Sequence, residues 1–257
     1  MINHRQIRAE ARLLAHNASV PAVAMTALMM GILVVMNQLV SILLDRSGGT
    51  GSFDIFFQIL TFLVSLVLQS GFLLYCMEVR RGEAVPWSRL FDGFSFAGKL
   101  ILLYLLEFLL VYLWSLLFLI PGAIAFYRYR FAVYNLCENP GIGVLEAINM
   151  SKAQTSGYKM SLFAMDLSFA GWVILGELPY LWSMERLMME QPLPLSDGAM
   201  TLLCNLFLGV VALFWMARHR LCMLACLEIC KHTSGVGADR GGPGGPLPLD
   251  GDGPAHP

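Results

Sequence analysis

Residues 20–44 read VPAVAMTALMMGILVVMNQLVSILL, a run without a charged side chain. The hydrocarbon core of a bilayer is about 30 Å thick, and about 20 apolar residues in a helix cross it. A secretory signal peptide is the alternative, because basic residues precede the run. The apolar region of a signal peptide is about half as long as residues 20–44, and no small-x-small cleavage site follows these residues. We therefore expect a retained transmembrane helix.

Further apolar runs follow along the chain, so the first helix has partners. They cover residues 53–77, 99–120, 122–136, 158–182 and 199–217. The composition agrees, since 57% of the residues are hydrophobic and only 14% are charged, against about 25% charged in soluble domains. The run 122–136 is short and crosses only if the residues around Cys137 complete it. The predicted fold class is all-α: a polytopic transmembrane bundle of about six spanning helices, plus short amphipathic interfacial helices.

The basic residues predict the orientation of this bundle. If six helices cross and the amino terminus is cytoplasmic, only Arg46 and Arg186 of the 17 Lys and Arg residues fall outside. Cytoplasmic loops of membrane proteins carry such an excess of positive charge. Without a crossing at 122–136, Lys152 and Lys159 would share the side of Arg186. We therefore expect a multi-pass protein of the cell membrane with both termini cytoplasmic.

Three parts of the chain differ in composition. Residues 1–19 form a cytoplasmic amphipathic segment, residues 20–232 form the six-helix transmembrane domain, and residues 233–257 form a Gly/Pro-rich tail. The tail has too little apolar surface to order itself, so we expect it to be disordered. The net charge of −1 gives no basic surface for nucleic acid. The expected partners are the lipid bilayer and other membrane proteins.

Short amphipathic segments flank the spanning helices. In residues 3–16, Ile7, Ala11 and Leu14 share one helical face, which predicts a helix that lies on the inner leaflet or extends the first spanning helix into solvent. The loop 80–98 mixes aromatic and basic residues, as is typical of the headgroup region. Residues 143–156 are expected to form a helix along the inner face.

Four charged residues within the apolar runs are the candidate site. Ionisable side chains inside a membrane are costly and usually face a partner or water. Counted along the helices, Glu107 and Asp166 lie about 12 and 10 Å from the inner interface. Arg128 and Arg130 reach about the middle of the core, within range of either carboxylate. We predict a buried charge cluster of Glu107, Asp166 and one or both of Arg128 and Arg130, which is either a structural ion pair or part of a proton or solute pathway.

Signatures of catalysis or cofactor binding are absent from the sequence. There is no HExxH, Walker or GxSxG motif, and all five histidines lie outside the apolar runs. Cys222, Cys226 and Cys230 share a helical face near His219 and His232, but no compact CxxC spacing supports a zinc site. We expect no metal, no cofactor and no disulfide, and an enzyme is disfavoured.

Two segments carry a resemblance to a known family. Residues 113–122 read LWSLLFLIPG and hold the predicted helix-hairpin turn Ile120-Pro121-Gly122, where Pro removes a donor. Residues 167–172 read LSFAGW, and the residues that carry the resemblance there are Ser168, Phe169, Gly171 and Trp172. These segments resemble the bacterial integral membrane family named domain of unknown function nine-seventy-five.

The resemblance covers roughly residues 5–215 and implies a helical membrane bundle. It weakens at the end, where Met216 to His219 stand in place of a Pro-Tyr pair. The family is similar in layout to the membrane domain of some glycerophosphodiester phosphodiesterases, which implies a shared bundle and no activity. No site, cofactor or partner follows from it, because the family has no assigned function.

Three function classes stay open from the sequence. The leading interpretation is a structural or accessory protein of the cell membrane. The second is a small transporter or channel that uses the buried charges, although the sequence shows neither repeats nor the paired broken helices of many transporters. The third is a lipid-modifying membrane enzyme.

Overall fold

The computed structural model of the protein describes residues 4–47, 51–189 and 196–237. Within these ranges the chain forms helices and no strand, which confirms the predicted all-α class. The elements in chain order are α1 (His4–Asn17), α2 (Ala22–Ser47), α3 (Gly51–Arg81), a 3-10 segment (Trp87–Phe96), α4 (Ala97–Leu117), α5 (Leu119–Tyr129), α6 (Ala132–Glu138), α7 (Val144–Gln154), α8 (Lys159–Met188) and α9 (Asp197–Ser234).

Five stretches in the described ranges are long and apolar enough to cross a membrane. They are Ala22–Leu43, Ile55–Arg81, Trp87–Leu117, Lys159–Arg186 and Gly198–Ser234. The protein is thus suited to a membrane, as the apolar runs predict. The fourth of the six predicted spanning helices, residues 122–136, is not one helix. It is divided between α5 and α6.

The pair α5–α6 nevertheless returns along the length of α4. At one end, Gly122 packs so closely on α4 that an added Cβ would lie 2.1 Å from the hydroxyl of Ser115. At the other end, the ammonium of Lys99 donates to the carbonyl of Pro140 at 2.6 Å. Ser115 and Lys99 are separated by about 24 Å of helix. A broken segment therefore covers the distance that one helix was expected to cover.

The break between α5 and α6 has protein partners for its backbone. The hydroxyl of Ser151 on α7 donates to the carbonyl of Arg128 at 2.9 Å and accepts from the N–H of Phe131 at 3.1 Å. The hydroxyl of Thr155 lies 3.2 Å from the same carbonyl. Non-helical backbone at membrane depth is stable only where it is buried in protein or lines a water-filled cavity. Helix α7 supplies that protection here.

The tightest packing lies at one end of the bundle, which we call the packed end. It is formed by α1, α6, α7, the last turns of α3 and the second half of α9. Ile7 and Ala11 of α1 are 6% and 1% exposed, because they pack on α9. The expectation that this apolar face meets lipid or solvent is therefore wrong. Ion pairs hold the same end: Arg80 with Glu228 at 2.7 Å, and also Lys231 with Glu138.

The loop 80–98 is ordered against α3. Leu90 in the 3-10 segment is buried, whereas Trp87, Phe91 and Phe94 are about half exposed. Gly71 of α3 and Gly93 of the segment bring the two backbones into contact: a Cβ on Gly71 would lie 1.8 Å from the carbonyl oxygen of Leu90. The segment thus covers the side of α3 next to the start of α4.

The carboxyl-terminal part is helical for longer than expected. Helix α9 continues to Ser234 and ends at Gly235, which has a positive φ of 68° and accepts no Cβ without strain. The helix thus includes the first two residues of the predicted tail, and 238–257 lie outside the described residues. Residues 48–50 of the predicted outer loop also lie outside them.

Candidate functional site

One carboxylate on α8 gathers side chains from two other helices. Asp166 accepts a hydrogen bond from the guanidinium of Arg130 at 2.9 Å and from the hydroxyl of Tyr127 at 3.1 Å. The ring Nε2 of His219 on α9 lies 2.8 Å from the same carboxylate. We call Asp166, Arg130, Tyr127 and His219 the Asp166 cluster. It joins α8, α9 and the end of α5.

Aromatic rings surround the cluster. The guanidinium of Arg130 lies 5.1 Å from the ring centre of Phe126. The ring of His219 meets Phe169 and Trp215 edge to face, with ring centres 5.2 and 5.7 Å apart. Rings exclude water and strengthen the attraction between the charges. The Asp166 carboxylate therefore has strong partners in a largely apolar setting.

The structure brings together two of the four predicted cluster residues. Arg130 and Asp166 form an ion pair, whereas Glu107 forms none among the described residues. Arg128 lies on the other side of α5, in a small pocket beside Trp114 and Ile124. Two positions along a helix differ by about 200° in direction. Arg128 and Arg130 therefore cannot face the same carboxylate.

A cavity of about 740 Å³ lies next to the cluster, between α3, α4, α5, α6 and α9. We call it the lateral cavity. Much of its lining is apolar, and several of the apolar side chains, including Phe62, Leu105, Phe108 and Phe126, are exposed on the outer surface of the bundle. The cavity therefore opens sideways, toward hydrocarbon if the bundle is in a membrane. The polar residues that line it are Gln69, Tyr104, Glu107, Tyr129, Arg130, Tyr134, His219 and Arg220.

Arg220 is a cation in this wall without a carboxylate partner among the described residues. Its guanidinium lies 3.3 Å from the amide oxygen of Gln69 and 3.5 Å from the hydroxyl of Tyr134. No carboxylate of the described part of the chain pairs with it. Neutral acceptors at these distances do not balance a charge in an apolar bundle.

Glu107 and Trp215 also line the cavity and have unsatisfied polar atoms. The Oε1 atom of Glu107 and the Nε1 atom of Trp215 are buried, and neither has a hydrogen-bond partner. Buried polar atoms of native proteins are nearly always paired, with protein, water or a ligand. The wall thus holds an unpaired acceptor, an unpaired donor and a cation without a counter-ion.

His219 and Arg220 were missed by the sequence analysis. Hydropathy ends the last apolar run at residue 217, which predicts that all five histidines lie outside the spans. That placement is wrong for His219, because α9 continues to Ser234 and carries this ring to Asp166. The apolar spacing of Cys222, Cys226 and Cys230 was the available signal, since it continues the helical period beyond residue 217.

The predicted turn and the LSFAGW segment have structural positions of their own. The break between α4 and α5 falls at Phe118, in extended backbone, so Ile120, Pro121 and Gly122 lie in the first turn of α5. Proline is well suited to a first turn, where its missing donor costs nothing. In α8, Phe169 meets α9 through Trp215, and Trp172 stacks on Phe214 with ring centres 6.1 Å apart. Ser168 donates to a carbonyl of its own helix, and no atom crowds Gly171.

Metal-ligating residues do not converge in the described ranges. No group of three His, Cys, Asp or Glu side chains there is placed to hold a metal ion. All six cysteines are free and buried. In particular, Cys222, Cys226 and Cys230 pack in the core of the packed end.

The comparisons with known proteins concern the second part of the chain. No curated protein and no solved structure matches the chain. One family model matches residues 110–227, which hold the whole Asp166 cluster and Arg220, whereas Glu107 precedes them. The match covers less than half of the chain. It supports the family that residues 113–122 and 167–172 resemble. Over residues 110–227 the chain is therefore similar to the family described as protein of unknown function (DUF975).

Proposed function

We propose that the protein is a multi-pass accessory protein of the bacterial cell membrane that binds an amphiphilic molecule in the lateral cavity. The observation that carries this proposal is the cavity itself, which has apolar side chains at its opening and charged ones inside. Its volume lies within the range of about 300–1,000 Å³ that is usual for ligand pockets. A molecule with a hydrocarbon chain and a polar group fits both parts of the lining.

The arrangement of the Asp166 cluster favours binding over a pathway through the charges. Asp166 is held by three side chains and is not part of the cavity wall. Its role is to fix Arg130 and His219, which do line the wall. Transport is the second candidate, because a broken helix, α5–α6, lines the cavity, as broken helices do in many transporters.

Six crossings account for the distribution of basic residues. Five apolar stretches alone would put the two termini on opposite sides of a membrane. The α5–α6 pair adds a sixth crossing, because it returns along the length of α4. Both termini and most Lys and Arg residues are then cytoplasmic, in agreement with the positive-inside rule.

Cysteine labelling tests this topology in the full chain. Glu83, Ser156 and Ser196 are exposed, so a cysteine at each position reacts with a maleimide that reaches it. We expect a membrane-impermeant maleimide to label Ser196→Cys in intact spheroplasts, and to label Glu83→Cys and Ser156→Cys only after lysis. Labelling of Ser156→Cys in intact spheroplasts would show that α5–α6 does not cross. The six native cysteines are buried, and the unsubstituted protein gives the background.

Quenching of Trp215 tests occupancy of the cavity. In a variant with Trp87, Trp114, Trp172 and Trp182 changed to Phe, Trp215 is the single tryptophan. We expect phospholipid with brominated acyl chains, added to the protein in detergent, to quench it saturably at about one lipid per protein. The reason is that a chain in the cavity contacts the ring directly.

Two controls separate the cavity from the general lipid surface. A variant that keeps only Trp172, which is 40% exposed and stacks on Phe214 away from the cavity, is expected to show gradual quenching without saturation. Val111→Phe narrows the cavity and is expected to reduce quenching of Trp215 several-fold. Val173→Phe, on the exposed face of α8, has no such effect. Equal titration curves for Trp215 and Trp172 would refute the proposed function.

A further inference from the structure

The polar residues of the lateral cavity indicate the chemical class of its ligand. We infer that the ligand is a phospholipid whose headgroup carries a hydroxyl or amine donor. Arg220 binds a phosphate oxygen, and Glu107 accepts a hydrogen bond from the donor. This inference rests on the proposed function, since it describes the occupant of the same cavity.

The phosphate site follows from the unbalanced charge of Arg220. A guanidinium in an apolar bundle is stable when an anion neutralises it. The described protein residues supply only the amide of Gln69 and the hydroxyl of Tyr134, at 3.3 and 3.5 Å. By contrast, Arg130 in the same wall already has Asp166. Arg220 is therefore the group that requires an anion from outside the protein, and Arg binds phosphate strongly through charge-assisted hydrogen bonds.

The headgroup donor follows from Glu107. Its Oε1 atom is buried and unpaired, although the residue lines the cavity. An acceptor in this state gains a hydrogen bond from a hydroxyl or an amine, whereas a quaternary ammonium has no N–H to donate. Phosphatidylethanolamine and phosphatidylglycerol carry such donors, whereas phosphatidylcholine does not. A headgroup of the first kind carries a partner for Glu107 and a partner for Arg220, which line the same cavity.

The hydrocarbon part follows from the opening of the cavity. Phe62 and Leu66 of α3 face Leu105 and Phe108 of α4 across it. Phe62, Leu105 and Phe108 are more than half exposed on the outer surface. An acyl chain between α3 and α4 thus stays in an apolar environment from the cavity to the bilayer. Free phosphate would leave this lining empty, so the geometry favours a lipid over a soluble anion.

The single-Trp215 protein provides the test, with four brominated lipids titrated separately. These are phosphatidylethanolamine, phosphatidylglycerol, phosphatidylcholine and diacylglycerol, which lacks phosphate. We expect half-maximal quenching by one or both of the first two at about one-tenth of the phosphatidylcholine concentration, with diacylglycerol weaker still. A charge-assisted hydrogen bond accounts for about a tenfold change in affinity. Inorganic phosphate is expected to leave the curves unchanged.

Substitutions assign the two contacts. Arg220→Gln is expected to weaken all three phospholipids about tenfold and to leave diacylglycerol unchanged, and Arg220→Lys is expected to restore part of the loss. Glu107→Leu is expected to remove the preference over phosphatidylcholine without weakening phosphatidylcholine itself. Diacylglycerol binding also shows that each variant is folded.

The outcomes separate this inference from the proposed function. If Trp215 is quenched saturably but Arg220→Gln retains the full preference for phospholipid over diacylglycerol, the phosphate contact is refuted and the binding function stands. Equal affinity for phosphatidylcholine and the two donor lipids refutes the contact to Glu107. If no lipid quenches Trp215 saturably, the proposed function itself fails.

Discussion

Replacing Asp166 with asparagine is expected to lower the free energy of unfolding by about 3 kcal/mol. The substitution keeps the size of the side chain but removes the charge that Arg130 and His219 face at 2.9 and 2.8 Å. Arg130 then keeps its desolvation cost without a counter-ion, which is the case in which a buried pair is most costly to break. Unfolding by sodium dodecyl sulfate in mixed micelles, followed by circular dichroism, measures the loss.

Glu10→Gln is the matched control for this prediction. Glu10 also pairs with an arginine, Arg80, at 3.4 Å, but its side chain is 45% exposed and Arg80 keeps a second partner in Glu228. Exposed pairs contribute less than about 1 kcal/mol. We therefore expect a loss at least three times as large for Asp166→Asn. Similar losses in the two variants would mean that the Asp166 cluster does not hold α5, α8 and α9 together.

The pairing of Arg130 with Asp166 was accessible from the sequence, but the rest of the cluster was not. Counting residues from the ends of apolar runs gives depth, and depth correctly allowed Arg130 to meet Asp166. It gives no information on which face of the bundle a residue occupies. Glu107 has a suitable depth and still faces the cavity without a partner. Arg128 also has a suitable depth, but it points to the opposite side of α5.

The extent of α9 could not be inferred from hydropathy. Arg218, His219 and Arg220 in succession are typical of a chain that leaves the membrane. In the structure α9 continues into the packed end, where it contacts α1, α3 and α7, and His219 and Arg220 line the lateral cavity. The second half of α9 is thus surrounded by other helices, whereas hydropathy predicts that it lies in solvent. For this reason hydropathy does not indicate that His219 and Arg220 lie in the cavity wall.

The break in α5–α6 has a similar explanation. Hydropathy predicts a short, weak span at residues 122–136, and the structure places two helices there. The stabilising groups are the hydroxyls of Ser151 in α7 and of Thr155 directly after it, 20 or more residues away along the chain. Nothing in the local sequence marks them as partners of this backbone.

Gly71→Ala is expected to be at least as damaging as the loss of Asp166. The added Cβ would lie 1.8 Å from the carbonyl oxygen of Leu90. The clash is with backbone, so no side-chain rotation relieves it, and the 3-10 segment must move away from α3. Overpacking of this kind typically costs about 1–3 kcal/mol and occasionally more. We expect a loss of about 3 kcal/mol in the same unfolding assay.

Trypsin cleavage within the 3-10 segment measures whether the segment moves away from α3, as this prediction requires. Arg89 lies within the segment and pairs with Asp92 and Glu78, so displacement exposes the bond after it to trypsin. We expect faster cleavage at Arg89 in Gly71→Ala than in Gly31→Ala, which adds a methyl group to an open position of α2. Gly31→Ala is expected to be neutral or to stabilise the protein by up to about 1 kcal/mol, because alanine favours a helix. Since the same segment leads directly into α4, one wall of the lateral cavity depends on it, and Gly71→Ala is also expected to weaken quenching of Trp215. Unchanged stability and proteolysis would show that the close contact between α3 and the 3-10 segment does not hold this wall in place.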